Sequence, residues 1–297
     1  MTRPRAIHTG AWCFVTAVLL LSSCAESEPA GVELYSAVDD LYDSIATVVA
    51  ASDNLSLITE IDHSRLAAEQ NEIMPPARVV LFSDPGVNTA ILQLDPLAAL
   101  DLPFRVLAYV EDGEPAVMFT SPGYLKQRFG LPDGPALTGY EESISGVTGS
   151  LPDATVTTLD TSSFGLKQGI AVLRSAYGFE VTLERLKTDI MAEGDTVWFG
   201  EIDYQSEAAA LGVELPKLTL LLFGAPGPGG KAMAEYPRMG LDAFCQKVLV
   251  VQSSDGDIEV LFNEMPALAE LHYGDSALVH KVINRRMRST LETAIEQ

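Results

Sequence analysis

The stretch EIDHSRLAAE, Glu60 to Glu69, returns in altered form as EIDYQSEAAA, Glu201 to Ala210. Sliding the chain against itself by 141 residues extends the match to Ala67-Ala68 on Ala208-Ala209, Pro75 on Pro216, Leu81-Phe82 on Leu222-Phe223, Pro85-Gly86 on Pro226-Gly227, Pro96 on Pro237 and Leu100-Asp101 on Leu241-Asp242. There are 13 identities in the 42 ungapped positions from Glu60 to Asp101, and two added residues later bring Phe119 onto Phe262. A chance phrase does not hold register through strands, helices and turns, so a whole domain has been duplicated. The chain must fold as one unit used twice.

Each unit reads as mixed helix and strand. GIAVLRS, Gly169 to Ser175, predicts a first strand, and TLERLKTDIMAEG a helix with Leu183, Leu186 and Ile190 on one face, Thr182 as N-cap and Gly194 at its stop. DTVWFGEID is a second strand, followed by a short helix from Glu207 to Leu211. LTLLLFG, Leu218 to Gly224, is a short, continuously apolar run that fits a buried strand. KVLVVQSSDGDIEVLFN supplies a hairpin turning at Asp255-Gly256, and RVLAYVEDGEPAVMFT does the same at Asp112-Gly113. From Ala277 to Ile295, residues Val279, Ile283, Met287, Leu291 and Ile295 form a stripe that a helix would dock. Leu131 to Gly165 is rich in Gly, Pro, Ser and Thr and reads mostly as linker, with a closing helix around Tyr140 to Ile144.

SAYGFEVTLERL, EIDH, LLLFGAPGPGG and ALDLPFRVLAYVEDG together resemble the domain of unknown function 302 (DUF302) family. The resemblance implies an α+β fold of the TBP-like kind, two tandem domains that are each a curved, mainly antiparallel sheet packed with helices. It implies no reaction. The expected organisation is a signal segment over 1–23, a tether over 24–30, a first domain over 31–147, a linker over 148–166 and a second domain over 167–297. The copies depart from the shared pattern in opposite places: copy one has His63 and LDLPFR but FSDPG, whereas copy two has LFGAPG but Tyr204 and LDAFCQ.

Arg3 and Arg5, the apolar run to Leu21 and then Leu21-Ser22-Ser23-Cys24 follow the order of an export signal, and LSSC resembles a lipoprotein lipobox. The expectation is a cell-envelope protein anchored in a membrane by acylation of Cys24, with the outer membrane favoured because Ala25 follows the Cys. Cys245 is then the one cysteine left in the folded part. A net charge of −22 argues against nucleic acid as a partner.

The sharpest chemical candidate is the face built from Glu60, Asp62, His63 and Asp101, with Glu201, Asp203 and Asp242 as its counterparts in copy two. Alternating carboxylates on a strand share a face, and with a histidine beyond them they suit acid–base or metal chemistry. The competing reading makes the strand-end Asp a cap for the following helix. GAPGPGGKA ends in Gly-Lys but departs from a phosphate-cradling loop at Ala225 and Ala232, so it reads as a glycine-rich turn. Cys245 fits an apolar niche, and the positions of His272 and His280 give no metal-ligand spacing. No cofactor and no metal are expected. The favoured role is a module for a small apolar ligand or an envelope protein, built from two similar domains packed about a pseudo-twofold axis. The groove between their sheets and a cavity within each domain are the alternative places for a ligand. The alternative is an extracytoplasmic enzyme or metal-handling protein using the Glu60 face.

Overall fold

The computed structural model describes residues 1, 30–152, 156–161 and 164–296. The expectations for the signal segment and for Cys24 fall on residues outside that set.

Copy one comprises α1 (Ala30–Ala51), β1 (Ser56–Asp62), α2 (His63–Glu69), β2 (Ala77–Ser83), α3 (Pro85–Leu92), a 3₁₀ turn (Pro96–Leu100), β3 (Phe104–Glu111), β4 (Glu114–Phe119), α4 (Pro122–Phe129) and α5 (Pro135–Thr148). After the short strand β5 (Val156–Thr158), copy two runs β6 (Ile170–Arg174), α6 (Phe179–Met191), β7 (Val197–Asp203), α7 (Tyr204–Ala210), β8 (Leu218–Gly224), α8 (Pro226–Met233), a 3₁₀ turn (Pro237–Gly240), β9 (Gln246–Gln252), β10 (Ile258–Asn263), α9 (Met265–Tyr273) and α10 (Leu278–Ile295). The fold is α+β, with two open sheets ordered β1-β2-β3-β4-β5 and β6-β10-β9-β8-β7. All pairings are antiparallel except β4 with β5.

The copies differ at one sheet edge. In copy two the edge beside β10 is β6, which precedes α6 in the chain. In copy one the residues that align with β6 begin the long helix α1, and the free edge of β4 is covered instead by β5 from the connecting segment.

Alternation along the strands sorts the side chains into two layers. Leu221, Phe223, Val248, Val250, Val260 and Phe262 form a core with α6 and α10. Leu218, Leu220, Leu222, Leu249, Val251 and Leu261, from the opposite face of the same sheet, join the core of copy one. The two inner faces therefore share one interior, with α1 and α5 outside one sheet and α6 and α10 outside the other. The contacts across the seam are reciprocal: α2 packs on α8 and α3 on α7, while each 3₁₀ turn lies against the central strand, β9 or β3, of the other copy. Reciprocity of this kind is the mark of a twofold arrangement.

Three local expectations change. Thr182 is inside α6, whose N-cap is Gly178, and its hydroxyl is taken up by Ser175 Oγ and the Gly178 carbonyl. The closing helix of copy one is α5, of 14 residues, because Leu137, Tyr140, Ile144 and Val147 bury a full stripe despite the surrounding Gly and Ser. Within GAPGPGGKA, Gly224 ends β8, Ala225 is the N-cap, and the residues from Pro226 onward form the helix α8 and not a turn.

The glycines of α8 have a steric reason. A Cβ placed on Gly230 would lie 2.5 Å from Ala67 Cβ on α2, so the two helices approach only because that atom is missing. In an exposed helix Gly→Ala gains about 1 kcal/mol. Here Gly230→Ala is expected to destabilise the protein by roughly 1–3 kcal/mol, the cost of overpacking, and adding Ala67→Gly should recover much of the loss. Urea unfolding of the single and double variants measures both; a stabilised Gly230→Ala protein would contradict the packing.

Candidate functional site

The residues of the expected acidic face go to three different places. Asp62 caps α2 by accepting from the Arg65 amide at 2.9 Å, and its carboxylate also pairs with the side chains of Arg65 and Arg78. Glu60 is exposed on β1. His63 is buried at the seam and donates from Nε2 to the Gly240 carbonyl of copy two at 3.1 Å. A Cβ on Gly240 would come within 3.0 Å of the His63 ring, so this approach also depends on a glycine. Burial lowers the His63 pKa to about 4, so the ring is neutral near pH 7. In copy two, Asp203 caps α7 through the Ser206 amide, and the exposed Glu201 pairs with Lys187. Among the described residues no group of three or more His, Cys, Asp or Glu side chains is placed to hold a metal ion.

Asp101 and Asp242 enter a different constellation. Asp101 ends the first 3₁₀ turn and Asp242 follows Leu241, which ends the second, and the two aspartates are 0% and 3% exposed. Arg128 on α4 donates from Nη1 to Asp101 Oδ2 at 2.6 Å, and from Nη2 to Asn263 Oδ1 of copy two at 2.7 Å. Asn263 Nδ2 reaches Asp101 Oδ1 at 3.3 Å. Arg105 on β3 donates from Nη2 to the Asp101 carbonyl at 3.0 Å and to Thr120 Oγ1 at 3.1 Å. Lys247 on β9 brings Nζ to 3.5 Å from Asp101 Oδ1. Asp242 receives His272 Nε2 at 3.0 Å from each carboxylate oxygen.

The members form pairs related by the duplication. Asp101 matches Asp242. Arg105 and Lys247 each stand two residues into the strand that follows a cis peptide bond, Leu102-Pro103 or Phe244-Cys245. Thr120 follows Phe119 as Asn263 follows Phe262, and Arg128 and His272 each stand two residues before the left-handed glycine that ends its helix, Gly130 or Gly274. One polar site has thus been built from both copies, with the acid kept and the bases exchanged.

Burial alone would raise both carboxyl pKa values, but the surrounding cations outweigh it. Arg128, Lys247 and Arg105 hold Asp101 below its ordinary value, and His272, Arg105 and Lys247 bring Asp242 down to about 2. Burial, then the Arg105 charge, push Lys247 down to about 7. Burial pushes the Cys245 thiol up to about 11, which fits a packed sulfur rather than a nucleophile.

A separate apolar cleft opens on the seam where β1 and α2 meet β7, β8 and α8. Ile61, Leu66, Phe199, Met233 and Phe244 line it, with His63 and Cys245 as the polar members, and its space, open side included, is about 290 Å³. The equivalent of His63 across the axis is Tyr204, whose larger ring is buried.

The family description "Domain of unknown function DUF302" matches residues 31–148 and 171–297. The chain belongs to the DUF302 family. The two matched regions are the two structural copies, so this is a tandem DUF302 protein. It is also similar to proteins named "Fluoride-specific ion channel FluC 1" from Brucella suis biovar 1 and Brucella abortus biovar 1, each 32% identical over 113 residues. Those matches cover 37% of this chain and 44% and 41% of the Brucella proteins, so this DUF302 chain spans less than half the length of those relatives. A solved structure described as an uncharacterized conserved DUF302 protein from Bacillus stearothermophilus is similar over 43% of this chain and 98% of its own, with 17% identity and a TM-score of 0.39.

Sequence reasoning reached Asp101 and Asp242 but missed Arg105, Lys247, Arg128 and His272. The missed signal was a cation inside an apolar strand at matching points in both copies, in FRVLAYV and QKVLVV.

Asp101→Asn should remove the charge that three cations share and cost roughly 3–5 kcal/mol, against about 1 kcal/mol for Asp203→Ala, which loses only a cap. Urea unfolding at neutral pH distinguishes the two. Lys247 supplies a pH signature. Its folded value of about 7 is below its ordinary 10.5, so between those values the unfolded chain holds the extra proton. Stability from this group therefore rises with pH across that window. Lys247→Met should flatten the rise when unfolding is compared at about pH 7 and about pH 9.

Proposed function

We propose that this DUF302 protein is a cell-envelope module, anchored by lipid on Cys24, that binds a small apolar molecule in the seam cleft. The cleft itself is the observation that carries the reading: it is concave, mostly apolar, and formed by both copies. Few polar groups among apolar walls is the usual composition of a ligand pocket, and the enclosed space is about 20 Å³, so a ligand is held by parting the walls at the open side of the cleft. Neutral His63, with Nε2–H committed to Gly240, adds no fixed charge to repel such a molecule. The acid–base or metal reading of the Glu60 face has less support, because Glu60, Asp62, His63 and Asp101 do not converge on one pocket. Ion conduction belongs to the name of the Brucella proteins; in this chain no described helix is long and apolar enough to cross a membrane.

The asymmetry between copies supplies the test. His63→Tyr places in the cleft the side chain that copy two carries at Tyr204. An uncharged apolar fluorophore, N-phenyl-1-naphthylamine, is expected to bind the wild-type protein saturably and to bind His63→Tyr at least tenfold more weakly while the circular dichroism is retained. Equal binding by both proteins would exclude the cleft. The anchor has its own test: Cys24→Ala should move the protein from the membrane to the soluble fraction and abolish labelling by radioactive palmitate. Unchanged fractionation would refute lipid attachment.

A further inference from the structure

The polar constellation at the seam is not electrically balanced. Asp101 and Asp242 supply two negative charges, whereas Arg105, Arg128 and Lys247 supply three positive ones, and none of the five is more than 3% exposed. The two guanidinium groups do not release their protons and both carboxyls are held ionised, so these four cancel and the surplus is the ammonium charge of Lys247. A surplus charge away from water is costly unless something compensates it.

The same cluster has donors with nothing to donate to. Arg105 Nε and Nη1, Arg128 Nε and Lys247 Nζ are buried without a hydrogen-bond partner. Arg105 Nη2 and Lys247 Nζ lie 3.7 Å and 3.5 Å from the same oxygen, Asp101 Oδ1, so the two cations are drawn to one place from opposite copies. A narrow recess lined by Asp242, Lys247, Asn263, Met265, Leu268 and Met287 leads to Lys247 and has room for about one water-sized body.

We propose that this recess is a site for a single monovalent inorganic anion of halide size, held by Lys247 Nζ with Arg105 as the second cation beyond Asp101. Charge selects the sign, because the free groups are donors and the surplus is positive. Stoichiometry follows from Lys247 being the one cation that lines the recess. Size follows from the recess, which is too small for sulfate or phosphate. The anion would complete the hydrogen bonding of Lys247 and keep its ammonium charged, a state that burial beside Arg105 otherwise disfavours.

The test uses the full chain at constant sodium concentration, with sodium gluconate replaced stepwise by sodium chloride or bromide and sodium sulfate as the control. Halide is expected to raise the unfolding midpoint saturably by roughly 5 °C, sulfate only as far as ionic strength explains, and Lys247→Gln should abolish the halide effect. Wild-type crystals soaked in sodium bromide give a readout that does not depend on the variant folding: an anomalous peak within hydrogen-bonding reach of Lys247 Nζ. Midpoints that follow ionic strength alone, a halide effect that survives Lys247→Gln, or bromide crystals with no peak at Lys247 would each overturn the site. Binding of the apolar fluorophore is independent of these outcomes, because the cleft shares no lining residue with the recess.

Discussion

One carboxylate ties the two halves together. Asp101 accepts from Arg128 of its own copy, and Lys247 and Asn263 reach it from the other copy, all of them buried, where charges are screened little. Two apolar sheet faces can slide over each other at modest cost, since dispersion and burial are non-directional. A buried ion group cannot, because a shift of a few ångströms leaves charges uncompensated. The net stability of such a cluster is small or even negative relative to an apolar equivalent, yet the cost of breaking it is large. Its effect is therefore to select one docking of the copies, and the reciprocal packing of α2 on α8 and α3 on α7 follows from that docking.

How legible this was from the amino-acid sequence depends on whether each feature is local. The duplication, the Asp-Gly hairpins, the buried strand β8 and the stripe of α10 are written in residue type and spacing, and all appear in the structure. Features that depend on a partner elsewhere in the chain were not. GAPGPGGKA suggests a turn because glycine disfavours helix, but the close approach of Ala67 overrides that local preference. The strand β5 has only three residues and pairs in parallel with β4, so no periodicity could announce it. The polar site divides in the same way. Asp101 and Asp242 are identical in both copies and stood out, although as members of a face with Glu60 that does not form, whereas Arg128 and His272 differ in type and are on helices offset by intervening insertions.

The duplication also explains why the site holds cations of different kinds. A symmetric cluster with two arginine–aspartate sets would place two identical guanidinium pairs face to face across the axis. In this chain copy two has Lys247 and His272 where copy one has Arg105 and Arg128. A buried lysine can be brought down to a value near neutrality, as Lys247 is, and an arginine cannot. The exchange makes the charge of one half adjustable while the other half stays fixed. Lys247, with a pKa near neutrality, is the member whose state responds to its surroundings.

The second asymmetry is at His63 and Tyr204, and it has the opposite sense. Both residues begin the helix after an Asp-capped strand, and both are buried against the other copy. The tyrosine occupies its seam with a large ring, while the histidine, smaller and held to Gly240, leaves the apolar cleft beside Phe199 and Phe244. A duplicated domain starts with two equivalent seams, and stability alone would favour filling both, since an unfilled apolar space forfeits dispersion contacts. One seam filled by a tyrosine and one left partly open is therefore an asymmetry that neither the duplication nor packing alone requires.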